Sequence, residues 1–166
     1  MAVDMFLFIE APAIKGESQS GTKAHAKDCI DVLAWSWGIS NSGTTHTGGG
    51  SGAGKANFQD LAVTAWYEKS THELMKSCAK GTHHEKMTLV CRKAGDNPLE
   101  YITYILEDCL ISSVSTGGSG GEDRLTVNFT INFGSFEVKY QQQNKKGGAE
   151  GASIDFKFDI AANAAT

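Results

Sequence analysis

Proline is nearly absent from this chain, with two in 166 residues, so its turns depend on backbone freedom more than on ring stiffness. A basic excess is missing as well. Fifteen Lys and Arg stand against nineteen Asp and Glu, a net charge of -4, which is the wrong sign for an electrostatic nucleic-acid footprint. No apolar run approaches the roughly 20 residues of a membrane span. The amino terminus, Met1-Ala2-Val3-Asp4-Met5-Phe6, carries an acid where a secretory signal needs positive charge. The expectation is a chain made in the cytoplasm, bound to neither nucleic acid nor membrane, with any export by a route that needs no signal peptide. The four cysteines, Cys29, Cys78, Cys91 and Cys109, include no C-x-x-C pair and read as buried free thiols.

At 40% hydrophobic and 20% charged, the chain has enough apolar material for one packed domain over residues 1–166. Val3 to Glu10 is rich in strand formers and stops at Ala11-Pro12. Cys29 to Ser40 reads as a second strand, apolar on both faces, and Asn41 to Asn57 as a long glycine-rich loop. Phe58 to Tyr67 alternates, with Leu61, Val63 and Ala65 on one face. Ser70-Thr71-His72-Glu73 fits a capping box and predicts one helix of about three turns, with Leu74, Met75 and Cys78 as its apolar face and Gly81 as its stop. Strands resume over Lys86 to Lys93, Leu99 to Val114 and Leu125 to Tyr140. In the last of these the apolar parity inverts after Phe133, which predicts a one-residue bulge at Gly134-Ser135. Ile154, Phe156, Phe158 and Ile160 make the final strand. About seven strands and one short helix point to a mainly β fold, a barrel or sandwich with the helix over an edge or opening.

Motifs for chemistry are weak. Gly49 to Lys55 satisfies G-x-x-x-x-G-K, but position 56 is alanine and a strand follows, so the Mg²⁺ hydroxyl and the receiving helix are both missing. The histidines, His25, His46, His72, His83 and His84, show no i, i+4 pair on a helix; a site shared by Cys78 with His83 or His84 is the only metal reading, and surface or turn histidines are favoured over it. No nucleophile elbow occurs, and neighbouring carboxylates such as Glu107-Asp108 diverge on a strand. No catalytic residue, metal or cofactor is expected. The glycine cluster Thr116 to Arg124 is either a hairpin connection or a place where another backbone or a ligand passes closely.

Several stretches nevertheless resemble one family. Met1 to Phe6, Ile30-Asp31-Val32-Leu33-Ala34-Trp35-Ser36-Trp37-Gly38, the run from Gly48 to Lys55 into Phe58-Gln59-Asp60-Leu61, and Ile111 through Ser119-Gly120-Gly121-Glu122-Asp123-Arg124 to Thr126 are similar to Hcp, the haemolysin-coregulated tube protein of bacterial type VI secretion. The resemblance implies a small β-barrel of two packed sheets with a flanking helix and an extended loop. It further implies hexameric rings that stack into a hollow tube, a contractile sheath and baseplate around it, a VgrG-type spike at its tip, and small effector proteins in its lumen. Secretion would occur on firing, without a signal peptide. Carried over residue by residue, the extended loop places Thr44, Thr45, His46, Gly48, Gly49, Gly50, Ser51, Gly52, Gly54 and Lys55 at the contact between rings, and Ser119 by the channel. Only six residues follow the last strand, so no toxin extension and no enzymatic activity are expected. The alternatives are a stand-alone β-barrel that binds a small ligand and a nucleotide-binding protein using Gly49 to Lys55.

Overall fold

The structure, a computed structural model, describes residues 3–20, 28–43, 53–95 and 97–166. The elements run β1 (Val3–Glu10), β2 (Ile30–Ser36), β3 (Ile39–Gly43), β4 (Ala53–Phe58), β5 (Leu61–Trp66), α1 (Lys69–Lys80), β6 (His83–Lys93), β7 (Leu99–Thr116), β8 (Thr126–Tyr140), β9 (Ile154–Asp159) and β10 (Ala164–Ala165). Six antiparallel strands close on themselves in the order β8-β5-β2-β1-β6-β7, and the β7–β8 pairing completes the ring. β9 and β10 extend the sheet from β8, while β3 and β4 form a separate two-stranded ribbon. The expected mainly β barrel with one flanking helix is therefore present. It has more strands than expected because the second expected strand breaks between β2 and β3, the third begins only at Leu61, and β10 adds a short edge.

The core follows from the alternation. Leu61, Val63 and Ala65 of β5 and Val127, Phe129 and Ile131 of β8 are all buried, and so are Leu7, Ile30, Leu89, Leu106 and Ile111 from the other barrel strands. Burying each large apolar side chain contributes about 1.5–3 kcal/mol. β9 departs from this pattern: its Ile154 and Phe156 remain 67% and 47% exposed, because the strand is attached to the far end of β8 and not to the barrel.

The parity inversion in β8 is real, with Phe133 and Phe136 both buried, but the expected bulge at Gly134-Ser135 is not there. The β7–β8 register runs unbroken through Leu106↔Phe136, Glu107↔Ser135 and Cys109↔Phe133. The strands turn together instead: Asp108 takes a φ of 55° opposite Gly134, and a Cβ at Gly134 would lie 3.2 Å from the Asp108 Cβ. The bulge sits on β7, where the register shifts between Ile111 and Ser113.

The helix cap also lies two residues earlier than the sequence suggests. Glu68 is the N-cap, and its backbone N–H donates to Thr71 Oγ1 at 3.2 Å. Ser70 donates its hydroxyl to Glu68 Oε1 at 2.7 Å instead of capping the helix itself. Moving the start rotates the buried face to Ser70, Thr71, Leu74 and Ser77, leaving Met75 36% exposed. Gly81 ends the helix in the left-handed conformation, φ 63°, as expected.

All four cysteines are free; Cys29, Cys91 and Cys109 are buried and Cys78 partly so. Burial pushes the three inner thiols up, Cys109 to about 12. At pH 8 an alkylating reagent is therefore expected to modify Cys78 first and the other three only after unfolding, as read by peptide mass spectrometry. Because the folded Cys109 holds its proton more tightly than an unfolded one does, its contribution to stability is intact below the ordinary thiol pKa and falls as pH rises from there toward 12.

Candidate functional site

The Trp35-Ser36-Trp37-Gly38 stretch forms the root of the β3–β4 ribbon. Trp37 Nε1 donates to the Gln59 carbonyl at 2.7 Å, and Gln59 N–H donates to the Gly38 carbonyl at 3.0 Å, so the two ends of the excursion are tied where it leaves the barrel. The Trp37 ring meets Phe136 edge-on at 4.9 Å and stacks on Phe58 at 6.5 Å. Beyond this root the ribbon pairs Ile39↔Phe58, Ser40↔Asn57 and Asn41↔Ala56. What reads in sequence as a loop over Asn41 to Asn57 is thus, in its described parts, a β-ribbon. Small polar residues carry little strand signal, which is why the pairing was hidden.

Gly54 and Lys55 lie on β4. A Cβ at Gly54 would come within 2.6 Å of Ser42 Oγ and 2.7 Å of the Ser42 carbonyl, so only glycine lets the two strands approach this closely. Lys55 is exposed and borders a groove of about 340 Å³ with Phe58, Asp60, Asn132 and Ile160. Since Lys55 leads along a strand and not into a helix, the phosphate-loop reading has no receiving N-terminus. Thr44, Thr45, His46, Gly48, Gly49, Gly50, Ser51 and Gly52 lie outside the described residues, as does His25.

Ser119 sits at the exposed turn between β7 and β8, where the Gly121 N–H reaches its Oγ at 3.5 Å and the Glu122 N–H its carbonyl at 3.2 Å. The turn is held at its base by the Tyr67 N–H donating to the Leu125 carbonyl at 2.9 Å and by the Arg124 guanidinium, 4.7 Å above the Trp66 ring.

No motif marks the outer face of the neighbouring strands. A shallow groove of about 230 Å³ crosses β2, β5, β8 and β7, and the side chains turned into it, Ser36, Thr64, Ser113, Ser115, Asn128 and Thr130, carry no charge. They bond to one another. Thr64 donates to Asn128 Oδ1 at 2.6 Å. The Asp60 carboxylate at the border accepts from Ser112 at 2.6 Å and from Asn132 Nδ2 at 2.9 Å; having given its proton to Asp60, Ser112 accepts from Thr130 at 2.7 Å, and Thr130 accepts in turn from Ser113. The β7 bulge creates this chain, because it exposes two consecutive serines, 112 and 113, on one face. By contrast, the extension made by β9 and the end of β8 carries Glu137, Lys139, Asp155, Lys157 and Asp159. Among the described residues no cluster of His, Cys, Asp and Glu has the makings of a metal site.

The chain matches the protein family described as "Type VI secretion system effector, Hcp" over residues 6–140. It is 51% identical over 164 residues to the protein hcp1 of Pseudomonas aeruginosa, covering 98% of each chain. It is similar to the crystal structure of Hcp1 from Salmonella typhimurium, with a TM-score of 0.78 and 34% identity over 100% of both chains. A type VI secretion system effector from Yersinia pestis is also similar, with a TM-score of 0.73 and 29% identity over 94% of this chain and 99% of that one.

Proposed function

The chain belongs to the Hcp family of type VI secretion proteins, and from that membership we propose that it is a structural tube subunit whose part in the tube needs no catalysis. Six copies form a ring, rings stack into a hollow tube inside the sheath and behind a VgrG-type spike, and the tube leaves the cell on firing with small effector proteins in its lumen. The observation that carries the ring is the apolar strip on the β8–β9 extension. Tyr140 and Ile154 are directly paired and Phe156 follows on the same face, exposed by 44%, 67% and 47%. Contiguous exposed apolar side chains at the end of a sheet mark a contact between proteins, and a closed ring of like subunits covers such a strip on every copy. The hydroxyl and amide face across β2, β5, β8 and β7, whose one carboxylate, Asp60, lies at the border and is held by Ser112 and Asn132, suits the channel wall, since it offers short-range hydrogen bonds with little of the field that would trap or repel a charged cargo. The β3–β4 ribbon, with Lys55 exposed, suits the contact with the next ring, and Ser119 suits a position by the channel.

Light scattering coupled to size exclusion, with negative-stain imaging of the same peak, tests this reading. The expected result is a mass near six subunits, ring-shaped particles, and a shift to monomers when Ile154 and Phe156 are both replaced by Asp. Lys55→Glu is expected to leave single rings intact and to shorten stacks. A monomer at all concentrations, with a small molecule bound in the barrel, would overturn the ring and favour the ligand-binding alternative.

A further inference from the structure

The buried pair Ser77 and His84 joins the end of α1 to the start of β6. Ser77 lies in the last turns of α1 and His84 near the start of β6, and their residues are 5% and 1% exposed. His84 Nδ1 is 2.7 Å from the Pro12 carbonyl oxygen and Nε2 is 2.7 Å from Ser77 Oγ. A carbonyl only accepts, so Nδ1 must carry the ring proton. Nε2 is then the bare nitrogen, and Ser77 must donate its hydroxyl to it. A serine hydroxyl aimed at an imidazole that a third group holds in one tautomer is the arrangement that activates a nucleophile. Here a backbone carbonyl takes the place usually given to a carboxylate. Both residues line a groove of about 250 Å³ whose other walls include Ile14, Glu73, Lys76, Lys80 and Thr82.

We propose that Ser77 and His84 form a nucleophile and general-base pair that accepts an acyl group from small esters entering this groove. Ser77 Oγ attacks the ester carbonyl carbon as its proton passes to His84 Nε2. The bond between that carbon and the alkoxy oxygen then breaks, and the alcohol leaves with the proton returned from Nε2. Water repeats the sequence on the acyl-serine, releasing the carboxylic acid and restoring the hydroxyl. Lys76 and Lys80 outnumber Glu73 on its walls, so positive charge prevails in the groove in which the carbonyl oxygen becomes negative. Nothing in the sequence signals the pair, because Ser77 and His84 belong to different elements and only the turn at Gly81 brings them together.

The test uses the assembled full-length protein and diisopropyl fluorophosphate, whose phosphorus takes the place of the ester carbon and whose fluoride is the leaving group. The expected result is one adduct on the Ser77 peptide by mass spectrometry, absent when the chain is unfolded in urea before treatment. His84→Gln is expected to slow labelling by about 100-fold while leaving circular dichroism and ring formation as in the parent. Hydrolysis of p-nitrophenyl acetate is expected to fall in parallel. No adduct on Ser77 in the folded parent, labelling unchanged by His84→Gln, or equal labelling of the unfolded chain would each overturn the proposal. Ring formation is read on the same samples, so the tube reading stands or falls separately.

Discussion

Replacing Phe136 with alanine is expected to lower the free energy of unfolding by about 3–5 kcal/mol, measured by urea denaturation. Phe136 is 1% exposed and sits at the meeting point of an aromatic cluster, with ring centroids 4.9 Å from Trp37, 5.5 Å from Phe58, 5.6 Å from Phe156 and 6.0 Å from Phe133. Those partners come from the ribbon root, β8 and β9, so one truncation loosens three attachments at once. The expected signature has two parts. The midpoint falls because the barrel loses a packed side chain, and the subunit ring proposed above is expected to weaken further because the β8–β9 strip is no longer held against the ribbon root. An unfolding free energy within about 1 kcal/mol of the parent, below the range for a buried Phe-to-Ala change, would show that the cluster repacks around the missing ring.

Gly16→Ala is expected to cost about 2–3 kcal/mol, although the added group is a single methyl. A Cβ at Gly16 would fall 2.3 Å from the Cys29 carbonyl oxygen and 2.6 Å from Glu68 Oε1. The first obstacle is backbone and cannot swing aside. The surrounding contacts form a clasp: Gly16 N–H donates to the Asp28 carbonyl at 2.7 Å, Glu17 N–H to Glu68 Oε2 at 3.0 Å, and Lys69 N–H to Glu17 Oε2 at 3.1 Å. Two glutamates thus tie the segment after β1 to the start of the helix, each accepting the other segment's N–H. Pushing Gly16 outward strains both ties, and the loss is expected to appear in thermal unfolding as well as in urea. Glu17→Gln, which removes charge but keeps the acceptor, is expected to cost far less.

What the sequence made legible was the barrel. Alternation over Leu61 to Ala65 and Leu125 to Phe133 follows directly from a sheet with one face in the core, and Gly81 marked the helix end correctly. What it hid has common physical causes. The β3–β4 ribbon is built from small polar residues and glycines whose pairing is fixed by ties at its root, not by side-chain pattern. The helix start was displaced because Glu68 caps through its backbone while Ser70, the expected cap, serves the Glu68 carboxylate. The bulge was misplaced because a parity inversion records a bend and does not say which strand holds the extra residue. His84, expected at the surface or in a turn, is buried because two acceptor and donor partners, one more than seventy positions away in Pro12, satisfy its ring. The candidate site itself was legible only through the family resemblance. The hydroxyl and amide face depends on a bulge and on strands drawn from three separate stretches of the chain, β2, β5 and the β7–β8 hairpin.

The closure of the barrel has a kinetic side. β1 pairs with β6 and β5 with β8, so both seams join segments far apart along the chain, whereas β6, β7 and β8 follow one another as a meander. Loops of that length are slow to close. The meander is therefore expected to form early and to wait, with the outer side of β6 and one side of β8 unpaired until β1 and β5 arrive. This waiting period is when unfinished chains are most exposed to joining one another edge to edge. The polar ladder on β8, with Thr126, Asn128, Thr130 and Asn132 between its apolar residues, gives that early species a hydrated face and so helps newly made chains remain separate until each barrel has closed.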